Sequence, residues 1–195
     1  MKAFFKINLK KIKMKQQILF IQGGGDNGYE ADKSLVASLQ KEIGHDYNFQ
    51  YPELNSDESL PDFGWIQEIC KEVAGMKRDF FLVGHSLGAS MILKYLSENT
   101  ANKNIKAIFL AATPFWTGDE DWKQGLKLNE NFEHKLPNHI PIFFYHTKDD
   151  KEVPFSHFIQ YKQKIPNAVF REIKTGGHQF DNELSKVAKD IISLE

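Results

Sequence analysis

The chain has 195 residues, 41% hydrophobic and 26% charged, with a formal net charge of −1. That length suits one domain with a sizeable core, and the average polarity excludes a membrane-embedded protein. The charge is uneven: six lysines and no acid lie in residues 1–15, and the other 19 basic residues face 26 acids, a balance of −7 that makes the body a poor partner for nucleic acid.

Residues 1–15 read as a basic tail, disordered or extended, ahead of a domain at residues 16–195. Ala3-Phe4-Phe5 is broken at once by Lys6, so no signal-peptide core forms. A native start at Met14 and a weak membrane-surface anchor are the other readings of this tail. No run elsewhere approaches the roughly 20 apolar residues of a spanning helix.

Strand-length apolar runs then alternate with segments of helical period. Ile18-Leu19-Phe20-Ile21 ends at glycines and predicts a buried strand. Leu35, Leu39 and Ile43 recur every four residues and predict a helix stopping near Gly44. Residues 47–51 predict a second strand. Pro61 opens a helix carrying Trp65, Ile66, Ile69 and Val73, closed by Gly75. The single cysteine, Cys70, reads as part of that helix's core face. With no partner for an internal disulfide, it points to a reducing, cytoplasmic compartment.

Phe80-Phe81-Leu82-Val83 predicts the third strand, residues 86–97 the next helix, and Ile105–Ala111 the fourth strand. The alternation pauses at residues 113–138, which predict a small helical insertion or a lid. It resumes with a strand at 140–145, a helix at 155–164 and a strand at 168–173. Leu184, Val187, Ala188, Ile191 and Ile192 form the apolar stripe of a last helix. Strands separated by helices pair in parallel, and strands apolar at every position are buried on both faces. The expected fold is therefore α/β: a three-layer, doubly wound, mostly parallel sheet of about six strands with a short insertion.

Gly84-His85-Ser86-Leu87-Gly88 carries the chemistry. Chance alone would place such a Gly-x-Ser-x-Gly in about 5% of chains this long. Here it follows an apolar strand directly and opens a helix, the setting of a nucleophile elbow. The glycines let strand and helix approach, and the helix N-terminus offers free N–H groups to a developing oxyanion. Ser86 is thus the candidate nucleophile; the plainer reading is a helix cap. A serine needs a base, and the base needs an orienting acid, in the chain order Ser, acid, His. His178 follows Gly176-Gly177 between the last strand and the last helix, so it falls on the sheet edge that holds Ser86. Asp149 and Asp150 both follow the strand before it. Asp150, three residues before Val153-Pro154, is the preferred acid, and Asp149 stays open. Asp181 is explained by capping of the last helix.

Taken together, Phe81-Leu82-Val83-Gly84-His85-Ser86-Leu87-Gly88, the Asp150…Val153-Pro154 loop and Gly177-His178 resemble the α/β-hydrolases. The chain is similar to the compact serine hydrolases of the retinoblastoma-binding-protein and YdeN-like group. Pro61-Asp62-Phe63 with Trp65 is also similar to that group. The resemblance runs from about Gln17 to the end. It implies a minimal sheet lacking the fold's first strands and a short or absent lid. The frequent His-Gly after the first core strand is Gln22-Gly23 here. An oxyanion hole would combine the N–H of Leu87 with that of Gly24, or of Gly25.

The expected activity is a serine hydrolase, esterase-like, that cleaves an ester, thioester or amide through an acyl-enzyme on Ser86. Its partner is a small-molecule acyl substrate, and no cofactor or metal is implied. Phe115, Trp116 and Trp122 either line an apolar acyl pocket or pack the insertion down. Asp119-Glu120-Asp121 either attracts a basic substrate or forms a solvated face. Two other functional readings stay open. One is a catalytically idle binding module on the same fold. The other is a dinucleotide site, because Gly23-Gly24-Gly25-Asp26-Asn27-Gly28 also fits Gly-x-Gly-x-x-Gly, with Glu53 lying 25 residues past Gly28.

Overall fold

A computed structural model of the chain describes residues 15–25, 27–101 and 103–194. The expected basic tail lies, up to residue 14, outside the described residues. Six strands, β1 (Gln16–Ile21), β2 (Tyr47–Gln50), β3 (Phe80–His85), β4 (Ile105–Ala111), β5 (Ile142–Thr147) and β6 (Val169–Ile173), form one sheet in the order β2-β1-β3-β4-β5-β6. Every neighbouring pair is parallel. The helices are α1 (Gly28–Ile43), α2 (Trp65–Gly75), α3 (Ser86–Glu98), α4 (Phe155–Lys164) and α5 (Ser185–Ile192).

The period of two along each strand divides the core into two layers. Leu19, Ile21, Phe80, Leu82, Ile108 and Leu110 face one side, against Trp65, Ile69, Ile92 and Leu93 of α2 and α3. Ile18, Phe20, Phe81, Val83, Ala107 and Phe109 face the other, against Leu35 and Leu39 of α1 and Val187 and Ile191 of α5. Both faces are covered, which is why the central strands show no apolar–polar alternation.

From β1 the chain steps outward to β2, then returns past β1 to β3. The winding direction therefore reverses between β1 and β3. In open parallel sheets the crevice at the C-terminal ends of such a strand pair is where ligands bind. The glycine loop leaves β1 there, and Gly84-His85-Ser86 leaves β3 beside it.

Several local expectations shift. Helix α2 starts at Trp65 rather than at Pro61, because Phe63 and Gly64 have φ of 54° and 74° and cannot continue a right-handed helix. Asp62 instead accepts from the Gly64 and Ile66 N–H groups at the turn. Cys70 is exposed rather than in the core. Buried Trp65, Ile69 and Val73 define the inner stripe, and Cys70 lies about 100° round the helix from its centre. Strand β5 runs two residues later than expected, since Pro141 has no N–H for a ladder. Ile192 is 46% exposed, so the α5 stripe ends at Ile191. Asp181 does not cap α5: it has φ of 51°, sits in a separate turn, and the cap position is Leu184.

Residues 113–138 hold two 3-10 turns, Asp121–Leu126 and Phe132–Lys135. Leu126, Leu128 and Phe132 are buried in the same layer as α3. Lys94 of α3 donates to the Lys127 carbonyl. Gly125 lies so close to Pro61 that an added Cβ would overlap the Pro61 carbonyl oxygen.

One polar cluster joins the sheet edge to the last helix. Arg171 of β6 grips Asp190 of α5 with Nε at 3.0 Å and a terminal nitrogen at 2.8 Å, and the Tyr145 hydroxyl donates to the same carboxylate at 2.7 Å. Burial alone would raise the Asp190 carboxyl, but the Arg171 and Tyr145 hydrogen bonds hold it below the ordinary carboxylate value. A depressed folded value stabilises the fold above the unfolded value, and this contribution is lost as pH falls through the folded one. The Tm gap between wild type and Asp190→Asn is expected to be widest at about pH 6 and to narrow steadily as pH falls below about 4 toward about 3. A gap constant across that range would remove the fork from the list of stabilising contacts.

Candidate active site

Ser86 is the first residue of α3 and follows β3 with no intervening loop. Its φ is 50°, a left-handed conformation that is strained for a residue with a side chain. The turn survives because its glycines permit contacts that no other residue could make. A Cβ on Gly88 would stand 2.2 Å from the Gln22 carbonyl oxygen, and one on Gly84 would stand 2.6 Å from Ile92 Cδ1. The Ser86 side chain is thereby held over the end of the sheet, at the start of a 13-residue helix.

His178 reaches this point from the loop after β6. Its Nε2 lies 3.0 Å from Ser86 Oγ, and its Nδ1 lies 2.9 Å from Asp150 Oδ2. An Nδ1–H donated to the carboxylate leaves Nε2 as the acceptor for the serine hydroxyl. Asp150 Oδ1 accepts from the Glu152 and Val153 N–H groups, each at 2.9 Å. Burial would raise this carboxyl, but the His178 hydrogen bond and the loop donors outweigh it and keep the value low.

The two candidate acids therefore separate by what they touch. Asp149 accepts from Gly177 N–H at 2.9 Å and Gly176 N–H at 3.3 Å, and it makes no bond to the imidazole. Thr147 Oγ1 donates to the Gly177 carbonyl at 2.8 Å. These two residues hold the loop in front of His178. Below the Asp150 loop, buried His146 has Nε2 at 2.9 Å from the Val153 carbonyl oxygen. Burial pushes the His146 imidazole below its ordinary value, so it acts as a neutral N–H donor that shapes the turn.

Leu87 and Gly24 face each other beside Ser86. A Cβ on Gly24 would stand 2.6 Å from Leu87 Cδ2. The Leu87 N–H belongs to the first turn of α3, where N–H groups have no partner within the helix. The Gly23 N–H is committed to Asp32 Oδ2 at 2.7 Å, which removes it as an oxyanion donor. Gln22, the departure from the frequent histidine, is buried and accepts from the Leu54 N–H at 3.0 Å. It joins the β1 loop to the segment after β2.

A cavity of about 790 Å³ opens in front of Ser86 and His178, lined among others by Leu54, Phe63, Phe115 and Trp116. Phe115 also packs edge-on to Tyr161 at 5.1 Å, and Trp116 Nε1 donates to Ser90 Oγ at 3.0 Å. The two residues thus line the cavity and anchor residues 113–138 at once. The Trp122 side chain lies outside the described residues. Asp119 lines the cavity mouth but shares Lys123 with Glu120, at 3.5 and 2.7 Å, so that acidic run is partly neutralised. A second cavity of about 260 Å³ reaches Ser86 from the other side, past Asn27, Asp32 and Gln179.

Two buried residues at this site were not singled out from the sequence. Asp32 of α1 and His85 of the pentapeptide form a pair, with His85 Nδ1 at 2.9 and 3.0 Å from the two carboxylate oxygens. A signal was present, for Asp32 lies on the apolar stripe of α1 with Leu35, Val36 and Leu39, where a charge has no place unless it is matched. Among the described residues, no group of three or more His, Cys, Asp or Glu side chains could hold a metal ion, and no helix is long and apolar enough to cross a membrane.

The chain is similar to several known proteins. The putative hydrolase YdeN of Bacillus subtilis strain 168 is 27% identical over 128 residues, 61% of this chain and 63% of YdeN, so the match spans less than two thirds of that relative. The solved structure of the B. subtilis ydeN gene product superposes with a TM-score of 0.62 at 21% identity, covering 92% of this chain and 98% of that one. The esterase domain of a Rhodothermus marinus protein gives a TM-score of 0.68 at 15% identity, covering 94% and 87% of the two chains. Est1E from Butyrivibrio proteoclasticus gives 0.67 at 15% identity, covering 95% and 88%. These likenesses show the α/β-hydrolase fold. The sequence model described as Serine hydrolase matches residues 38–185, most of the domain, and the chain belongs to that serine hydrolase family.

Proposed function

We propose that the protein is an esterase that hydrolyses small-molecule carboxylic esters through an acyl-enzyme on Ser86. One observation carries this reading: an unbroken hydrogen-bonded line from Asp150 through His178 to Ser86, at 2.9 and 3.0 Å, at the mouth of a cavity of about 790 Å³. Family membership and the esterases among the structural neighbours support it.

In this mechanism Ser86 Oγ attacks the carbonyl carbon while its proton passes to His178 Nε2. Asp150 stays ionised, keeps the imidazole in the Nδ1–H tautomer and stabilises the imidazolium. The carbonyl oxygen becomes an oxyanion between the Leu87 and Gly24 N–H groups, each worth about 3 kcal/mol of transition-state stabilisation. The alcohol leaves with the proton from His178. A water then attacks the acyl group, with His178 again the base, and the carboxylic acid and free Ser86 are released. Thioesters and amides would follow the same steps; esters are favoured because their leaving groups need least help.

Phe115 and Trp116 together with Leu54 and Phe63 give the cavity an apolar side fit for an acyl chain or ring. The single cysteine supports a reducing, cytoplasmic setting. The glycine loop has a role under this reading without a nucleotide. Gly28 lies against the Gly23 carbonyl, where a Cβ would stand at 2.2 Å, and Gly24 lies against Leu87, so the glycines follow from how tightly the loop is folded onto the elbow.

A fluorophosphonate probe is expected to modify Ser86, and His178→Ala should abolish the adduct. Clean, folded protein without an adduct at Ser86 would instead favour an idle binding module. The choice of acid has its own test. Asp150→Asn is expected to lower kcat/KM on the order of 10⁴-fold, by analogy with triads whose acid is removed. Asp149→Asn should keep most of the activity, since that carboxylate meets the Gly176 and Gly177 N–H groups and not the imidazole. The reverse ranking would move the acid to Asp149.

A further inference from the structure

Asp32 and His85 are each 1% exposed, and neither takes part in the steps above. Their hydrogen bonds define their charges. The Asp32 carboxylate is met by donors: Gly23 N–H at 2.7 Å, Gln179 Nε2 at 3.2 Å and the His85 ring. His85 is met by acceptors on both sides. Its Nδ1 faces the carboxylate, and its Nε2 stands 3.0 Å from the carbonyl oxygen of His178. A carbonyl can only accept, so Nε2 carries a proton. The proton between Nδ1 and Asp32 rests on nitrogen, because imidazole is the stronger base and the carboxylate is already stabilised by two further donors.

We propose that Asp32 and His85 form a buried carboxylate–imidazolium pair that holds the main chain of His178, making both of them positioning residues for the base. The inference rests on His178 being that base. His85 directly precedes Ser86, so the residue that fixes the His178 backbone also borders the nucleophile. The 3.0 Å between Oγ and Nε2 is thus spanned by one strap: Ser86, His85, the His178 carbonyl and the His178 ring.

The strap has a mechanical reason. Gly176 and Gly177, with φ of 138° and 58°, make the approach to His178 a pliant one. Thr147 and Asp149 fasten that approach from upstream. The His85 bond fastens His178 by its own carbonyl, and a charged donor makes it about twice as strong as a neutral one. Burial alone would discharge His85, yet the Asp32 hydrogen bond and charge hold its imidazole above the ordinary value. Burial likewise opposes the Asp32 charge, and His85 outweighs it. The other groups facing the ring are the His178 ring at 4.8 Å, the edge of Phe180 at 6.2 Å, and the charge of Asp150 at longer range. A buried ion pair seldom stabilises a fold better than apolar packing would. Fold stability is therefore a weak reason for this pair, and alignment of the triad is a better one.

The ring nitrogens can be read directly by long-range ¹H–¹⁵N spectra of ¹⁵N-labelled wild-type protein near neutral pH. His85 is expected to show both nitrogens protonated; a bare Nδ1 or Nε2 overturns the pair. The rate of fluorophosphonate labelling at Ser86 and the hydrolysis of p-nitrophenyl acetate test the positioning. In Asp32→Asn with a native circular-dichroism spectrum, labelling and kcat should fall on the order of 10²-fold with KM within about twofold. Folded Asp32→Asn with wild-type kcat and labelling overturns the positioning role. Wild-type protein that takes no label at Ser86 fails differently: it removes the esterase reading and the positioning role with it, while the His85 spectrum still decides the pair.

Discussion

Helix α3 begins on the residue after β3 ends, and this absence of a loop is the constraint on which the rest of the site depends. It forces Ser86 into a left-handed conformation. It drives the first turn of the helix down onto the end of β1, where the backbone of Gly88 meets the Gln22 carbonyl. The glycine loop must then fold over the same turn, which brings Gly24 against Leu87. The backbone that follows β1 and the backbone that follows β3 thus meet beside Ser86. The energy for this strain comes from the layers beneath: β3 is buried along its whole length, and most of α3 is buried as well.

Around this elbow, charge is arranged by hydrogen-bond bookkeeping rather than by exposure to water. Asp150 is shielded from solvent but has partners for both oxygens, so it stays ionised beside His178. Asp32 is shielded more fully and has three donors. A buried carboxylate without such donors would take up a proton, and its orienting effect on a histidine would vanish. Two carboxylates and two imidazoles therefore stand close together, each carboxylate matched to its own ring. That separation leaves one imidazole to proton transfer while its neighbour serves as a fixed charge in the proposed scheme.

Residues 113–138 show how packing and site construction share the same side chains. The segment is polar on average, yet Leu126, Leu128 and Phe132 pin it to the α3 layer. Phe115 and Trp116 serve both that anchoring and the lining of the cavity. The Phe115 N–H bonds to His157 Nδ1 at 3.0 Å, so α4 also sets where the cavity wall stands. Burial pushes the His157 imidazole down, which keeps Nδ1 free to accept.

Linear patterns were enough for much of this. Continuous apolar runs separated by helical periods determine a parallel sheet whose central strands are buried on both faces, because helices on both sides hide such strands. A Gly-x-Ser-x-Gly placed between strand and helix determines where the turn must be, because only glycine tolerates the contacts at positions 84 and 88. Chain order and the strand edge bring Asp150 and His178 into consideration, and Asp149 with them. What the sequence leaves open is set by contacts between residues far apart in the chain. The difference between Asp149 and Asp150 is one of direction, decided by which carboxylate the turn aims at a ring 28 residues away. The start of α2 depends on two left-handed residues, and the exposure of Cys70 on the side of that helix that packs inward. The partnership of Asp32 with His85 spans 53 positions, so no local pattern reveals it. Composition and periodicity record which residues must leave water; only the folded chain decides which polar atoms meet once they have left it.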